Sequence, residues 1–461
     1  MIRRTIAAAA LLAIVVPSAS AQTVSQEQLD ARYDRAMAAG YKALFLCGAI
    51  GNSHHMAKRT PEDIARWELT GIYPDLDPIV QDLPYRIEVH AGTALSTTLG
   101  PTLHYVAVDW DDRVPPRIAL YKPRRGCSIL PIGAAEPVPA AKAERVLPGP
   151  MPTMRPQAET PVDPVTADAF QSAYGEGTRT TAVLVQRSGD IISERYAAAP
   201  FGLTTPQRTW SVAKSIAATL VGAAVLRGDA DVNASAGLGA DAADPRRAIT
   251  VDHALRMATG RYSEAPGNRT DALYFGGATV QETALDGPLV HRPGTMFRYA
   301  NNDTLAATQA IAGTFTDYPP GKLFSAIGMN QTTAETDWQG DYVLSSQVWA
   351  TARDLARLGQ LYLDDGMAAN GTRILPEDWV EYVSSPSGPQ PEGEFGYGAG
   401  FWLFNDSEGV PPETFAAMGN RGQYVVIVPS RDVVIVRRGE DPTGARFDIT
   451  AFTRDVLAAL D

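Results

Sequence analysis

RTWSVAKSIAATLVGAAVLRG, residues 208–228, decides how this chain is read. The chain has only six lysines, and one of them, Lys214, stands against an apolar run, three residues after Ser211. The run IAATLVGAAV is apolar on every side, the pattern of a helix enclosed in a core. Three residues is nearly one helical turn, so Ser211 and Lys214 share a face. Burial disfavours the charged form of an amine and lowers its pKa. A neutral amine beside a hydroxyl can take the hydroxyl proton, which turns serine into a nucleophile. Serine is also a favoured helix N-cap, so the pattern by itself equally describes an ordinary helix start with a solvated lysine.

A second segment bears on the choice. FRYANND carries Tyr299 and Asn301, the sole Tyr-x-Asn of the chain, as Ser211–Lys214 is its sole S-x-x-K. A tyrosine near an ammonium group holds its phenolate form more easily, and can then serve as base or proton shuttle. Asn301 offers a carbonyl and an amide with which to orient a substrate and the lysine.

Outward from these motifs, the chain divides. Residues 1–21 read as a cleavable export leader: basic MIRRT, an apolar core IAAAALLAIVV, and PSASA ending in a small-x-small pattern near Ala21. The core falls short of the about 20 residues that a spanning helix needs. The expectation is a periplasmic or secreted protein with no membrane span once the leader is gone. Losing Arg3 and Arg4 takes the net charge from −12 to −14. Such an acidic chain, without a basic stripe, does not suit nucleic acid. Export permits a disulfide between the two cysteines, Cys47 and Cys127.

Residues 22–130 read as a small α+β region: a polar helix over 22–40, a strand at KALFLCGAI, a helix at PEDIARWELTGI, and strands at YRIEVHAG, LHYVAVDW and PRIALYKP. Nine prolines between Pro131 and Pro164 mark residues 131–164 as an extended linker. Residues 165–461 form the large part. It opens with a helix at VTADAFQSAYGE and a hairpin turning at Ser188-Gly189-Asp190. Mainly helical text follows, then the hairpin YVVIV-PSRD-VVIVRRG and a closing amphipathic helix, RFDITAFTRDVLAAL. Strands at both ends with helices between predict an α+β fold: an antiparallel sheet flanked by helices, with a mainly helical subdomain.

The order S-x-x-K, Tyr-x-Asn about 90 residues later, and a glycine-containing strand near the end resembles the penicillin-recognising serine hydrolases. Within them it is similar to the class C β-lactamase branch and its esterase and amide-hydrolase relatives. The stretches WSVAKSIAATLVGAAV, ITVDHALRMATG, RPGTMFRYANND and GNRGQYVVIVPSRDVVIVRRG are similar to the 6-aminohexanoate-dimer hydrolase group. The likeness covers residues 165–461 and implies a β-lactamase-like domain. It implies Ser211 as nucleophile, Lys214 as its base, Tyr299 in proton transfer to the leaving group, and Asn301 in positioning. It further implies an oxyanion hole made by the backbone N–H groups of Ser211 and Asn420, the latter following Ala417-Met418-Gly419 in place of the usual Lys-Thr-Gly or His-Thr-Gly. No metal or organic cofactor is implied, and the partner is a small-molecule ester or amide.

One departure shifts the expected substrate. No lysine follows Lys322 and no histidine follows His291, so the third motif lacks the cation that meets a β-lactam or peptide carboxylate. Arg421 stands close in sequence as a possible substitute. This lowers β-lactamase or D,D-peptidase activity and raises esterase or amidase activity; a catalytically inert binding protein on the same fold is the further alternative. A Ser-His-Asp hydrolase is disfavoured because Gly-x-Ser-x-Gly is absent. His54-His55 lacks metal-ligand spacing, and GAIGNS and GLGAD lack the strand-to-helix setting a nucleotide needs.

Overall fold

The computed structural model describes residues 24–53, 59–90, 102–138, 159–263 and 270–461. The leader, His54-His55 and most of the proline-rich segment lie outside the described residues.

The N-terminal helix (Gln26–Gly51) starts with a capping box: Ser25 Oγ accepts from the Gln28 N–H, and the Gln28 side chain accepts from the Ser25 N–H. It runs through KALFLCGAI, which is therefore helix and not strand. The reason is burial. Every residue from Ala36 to Ala49 is enclosed, and an apolar run buried on all sides carries no periodicity to separate the two. The next helix (Pro61–Trp67) forms, capped by Thr60 with proline in its first turn, but stops five residues short of the expected PEDIARWELTGI.

Four strands follow: β1 (Tyr85–Val89), β2 (Leu103–Val108), β3 (Arg117–Lys122) and β4 (Gly126–Ile129), an antiparallel meander in that order. The N-terminal helix lies across β2, β3 and β4, and the Cys47–Cys127 disulfide ties it to β4. This unit shares its core with the rest of the chain: Phe45 and Leu46 pack in one cluster with Trp210, Phe275, Leu305 and Trp349.

The segment VTADAFQSAYGE is less helical than expected. A short helix (Asp163–Asp168) gives way to a 3₁₀ turn (Ser172–Tyr174), and the Thr180 hydroxyl donates to the carbonyl of Ala169 at the helix end. Strands β5 (Thr180–Arg187) and β6 (Asp190–Tyr196) form the expected hairpin. Its turn residues Ser188 and Gly189 both take positive φ. Strands β7 (Gln207–Arg208), β8 (Thr333–Ala334) and β9 (Val348–Ala350) make a small sheet, with β9 central. Strands β10 (Gly396–Tyr397), β11 (Trp402–Leu403), β12 (Phe415–Gly419), β13 (Gln423–Val428) and β14 (Val433–Gly439) join the hairpin in a seven-stranded antiparallel sheet, ordered β10-β11-β12-β13-β14-β5-β6.

Both faces of this sheet are covered, which explains the unbroken apolar text of its strands. Leu184, Val425, Ile427, Val434 and Val436 face the helix Ala352–Leu363, and on the same side the central helix (Val212–Arg227) packs on β12. Val183, Val185, Val426, Val433 and Ile435 face the C-terminal helix (Ile449–Ala459). The register sets Val436 opposite both Val425 and Leu184, so one face stays apolar across three strands. Between β7 and β10 the chain is mainly helical. No helix among the described residues is long and apolar enough to cross a membrane.

The disulfide closes a loop of 80 residues. In the chain-entropy description such a bridge contributes about 4–5 kcal/mol. The Cys47→Ala/Cys127→Ala variant should therefore lose stability of that order, read as a lower denaturant midpoint with a steeper slope, because the unfolded chain is released from its cross-link.

Candidate active site

The central helix is buried from Val212 to Ala224 and stops at Gly228, whose positive φ lets its N–H return to the Ala224 and Val225 carbonyls. Ser211 stands at its start. Its side chain caps no backbone group, so the plain N-cap explanation fails. The hydroxyl instead faces Lys214, with Nζ 3.1 Å from Oγ.

Lys214 is 1 % exposed. Besides Ser211 Oγ, its amine meets Asn301 Oδ1 at 2.5 Å and the Ser345 carbonyl oxygen at 2.8 Å. Asn301 comes from a distant helix (Asn301–Ala310). Ser345 lies in the irregular segment before β9, and its own hydroxyl is bonded to Tyr274 Oη at 2.9 Å. The Ser345 carbonyl escapes sequence reasoning because a backbone oxygen has no side-chain signature. Burial pulls the Lys214 amine down to about 7. A neutral amine has two N–H donors and one lone pair. Asn301 Oδ1 and Ser345 O can only accept, so they take the two donors and leave the lone pair to the serine hydroxyl.

Tyr299 joins the group. Its ring centroid is 5.0 Å from Lys214 Nζ, and Tyr397 and Trp402 pack around it at 6.0 and 5.3 Å. Burial pushes its phenol above the ordinary tyrosine range, while its hydrogen bond with the Ser211 side chain pulls the other way. The phenolate expected beside an ammonium is therefore not the favoured form. Desolvation favours the neutral state of both groups, and the pair is best described as amine plus phenol.

The strand β12 ends beside the serine. A Cβ placed on Gly419 would lie 2.5 Å from the Thr209 carbonyl oxygen and 3.0 Å from the Ser211 nitrogen, so the backbone approach requires glycine. Asn420, itself exposed, follows in the turn between β12 and β13, its side chain accepting from the Arg421 N–H. Arg421 does not stand in for the missing cation. Its side chain is buried, paired with the Glu440 carboxylate at 2.9 Å, and donates to the carbonyls of Trp67, Thr70 and Glu440. Those partners draw it toward the N-terminal unit.

The β-lactamase family model matches residues 167–459. The chain belongs to the β-lactamase family. Among curated relatives of this β-lactamase-family chain, the 6-aminohexanoate-dimer hydrolase of Paenarthrobacter ureafaciens is 26% identical over 300 residues, 58% of this chain and 74% of the relative. Two solved structures share the fold at 20% identity. One is a Bacillus anthracis protein assigned as a 6-aminohexanoate-dimer hydrolase (TM-score 0.52, 61% of this chain and 79% of the other). The other is a Bacteroides dorei protein assigned as a β-lactamase (TM-score 0.53, 65% and 98%).

Two outcomes follow from this geometry. Below pH about 7 Lys214 is an ammonium without a lone pair, and above it the neutral amine prevails. Ser211 should therefore be phosphonylated by a fluorophosphonate probe at a rate that rises through pH 7 and levels off. Lys214→Arg, which stays charged, should abolish that rise. Gly419→Ala should slow labelling at every pH by about 10²-fold, the scale of one lost oxyanion donor.

Proposed function

We propose that this β-lactamase-family protein is a serine hydrolase that cleaves esters or linear amides through an acyl-enzyme on Ser211. The observation that carries the reading is the buried Lys214 amine, 3.1 Å from Ser211 Oγ, with its two other partners both obligate acceptors.

The chemistry runs in two halves. Ser211 Oγ attacks the carbonyl carbon while its proton passes to Lys214 Nζ. The oxygen that gains charge is held by the N–H groups of Ser211 and Asn420, aimed at where that charge develops. Collapse of the tetrahedral species breaks the bond to the alcohol or amine, which leaves with a proton relayed from Lys214 through the Tyr299 phenol. Water then attacks the acyl-serine and passes a proton to Lys214, which hands it to Ser211 Oγ as the acid departs, restoring both groups. Asn301 holds the amine in register and offers its amide to the substrate.

Ester and linear-amide substrates are supported over β-lactams by Arg421. Arg421, the cationic side chain that follows the third motif in sequence, is committed to Glu440 and three carbonyls. The likeness to 6-aminohexanoate-dimer hydrolases supports linear amides alongside esters. Residues 165–461 are read as the hydrolase unit, residues 22–130 as an accessory unit and residues 131–164 as the connection between them. Export through the leader 1–21 is supported by the Cys47–Cys127 disulfide, which suits an oxidising compartment.

A fluorophosphonate probe should label the intact protein, and Ser211→Ala should remove both labelling and p-nitrophenyl ester turnover. Labelling that persists in Ser211→Ala would take the serine out of the role. An intact protein that neither labels nor turns over esters or linear amides would be the inert binder. Fast opening of a chromogenic cephalosporin would restore the β-lactam reading.

A further inference from the structure

Two non-glycine residues in left-handed backbone conformation flank the candidate oxyanion site. Trp210, immediately before Ser211, has φ +51°, and Arg421, immediately after Asn420, has φ +59°. Each sits next to one of the two N–H groups assigned to the oxyanion. A bulky side chain at positive φ costs on the order of 1–3 kcal/mol and persists only where its surroundings dictate it.

In both places the N-terminal unit supplies part of those surroundings. The Trp210 indole packs on Phe45 of the N-terminal helix, ring centroids 6.0 Å apart. The Arg208 guanidinium lies 4.2 Å from the Trp210 ring centroid and 4.9 Å from that of Phe45, binding the two together. One turn on, Gly48 presses against Trp349 of β9, the strand paired with β7; a Cβ there would stand 2.6 Å from the indole. At the other end, Arg421 reaches out of its turn to the Trp67 carbonyl at 2.8 Å and the Thr70 carbonyl at 3.2 Å. The segment that offers these carbonyls is itself fixed. Arg59 and Glu68 form a buried two-pronged pair within it, and Arg179 lies 4.1 Å over the Trp67 ring. Thr443 donates from its N–H to the Gly71 carbonyl and from its hydroxyl to the Ile72 carbonyl.

We propose that the N-terminal unit is a positioning element for the oxyanion site, bracing the Trp210–Ser211 junction through Phe45 and the Asn420–Arg421 turn through the carbonyls of Trp67 and Thr70. Arg421 is then a positioning residue that acts through Asn420 without touching substrate. The inference rests on the hydrolase reading above. It also gives the unit a task that differs from those of a lid or a partner-binding module: the braces are buried, and the unit shares a core with the segment carrying the nucleophile.

The test removes the brace without stranding a charge. Arg421→Met combined with Glu440→Gln deletes both members of the buried pair, a change that proteins often tolerate, whereas deleting one member leaves an uncompensated charge. Thermal unfolding establishes that the double variant is folded. On a p-nitrophenyl ester, kcat should fall at least ten-fold with KM within two-fold, and phosphonylation of Ser211 should slow by the same factor. That split marks a loss confined to the transition state, which a merely structural contact would not produce. A folded double variant with kcat within two-fold of the parent overturns the proposal. Should the double variant fail to fold, Arg421→Lys is judged by the same criterion, since it keeps a charge for Glu440 but loses the planar fork that serves several carbonyls. A parent protein that neither labels nor turns over ester overturns the hydrolase reading, and this inference with it. An active parent with unchanged variants overturns this inference alone.

Discussion

The structure turns on one desolvated amine. Lys214 has been taken out of water and given three oxygens, of which only one belongs to a group that can give up a proton. Everything nearby serves that arrangement. The central helix is apolar all round because it must carry the lysine into the core. Asn301 and the Ser345 carbonyl come from parts of the chain 87 and 131 residues away in sequence, which makes the amine a node joining three remote segments. Low dielectric strengthens each of those bonds and makes any unpaired alternative costly.

The same desolvation reverses the charge state expected of Tyr299. An ammonium neighbour would favour phenolate, but the neighbour is itself pressed toward neutrality. Amine and phenol then sit side by side without a charge to stabilise either ion. On the proposed hydrolase reading, the proton moves between serine, lysine and the leaving group through partners that all start neutral.

On the far side of the serine the constraint is steric. Gly419 brings the end of β12 against the nitrogen of Ser211, and the turn beyond it holds Arg421 in a strained conformation. The arginine that the sequence offers as a substrate cation is consumed by holding its own turn. A substrate carboxylate would meet no free guanidinium from that residue, which suits a neutral acyl group. The N-terminal unit supplies two of the carbonyls that hold Arg421 and the aromatic floor under Trp210, so it belongs to the architecture of the site.

Much of this was legible in the chain. The S-x-x-K spacing placed Ser211 and Lys214 on one face because helical geometry is local. The two hairpins and strands β1 to β3 were legible because turn residues and apolar alternation are local too, whereas β4 and the short strands β7 to β11 were not. The cysteines were legible as a pair because there are only two. Residues 42–50 were not, since complete burial erases the period that tells helix from strand. Spacing did separate Lys214 from Lys42, which also stands in an apolar run but has Ala39, not a serine, three residues before it. Lys42 ends on the carbonyls of Gln81 and Leu83. The direction of Arg421, the neutrality of Tyr299 and the part played by the Ser345 carbonyl were beyond the sequence. Sequence determines which groups a chain possesses and how they repeat along it. Which groups lose their water, and whom they meet when they do, depends on segments brought together only by folding.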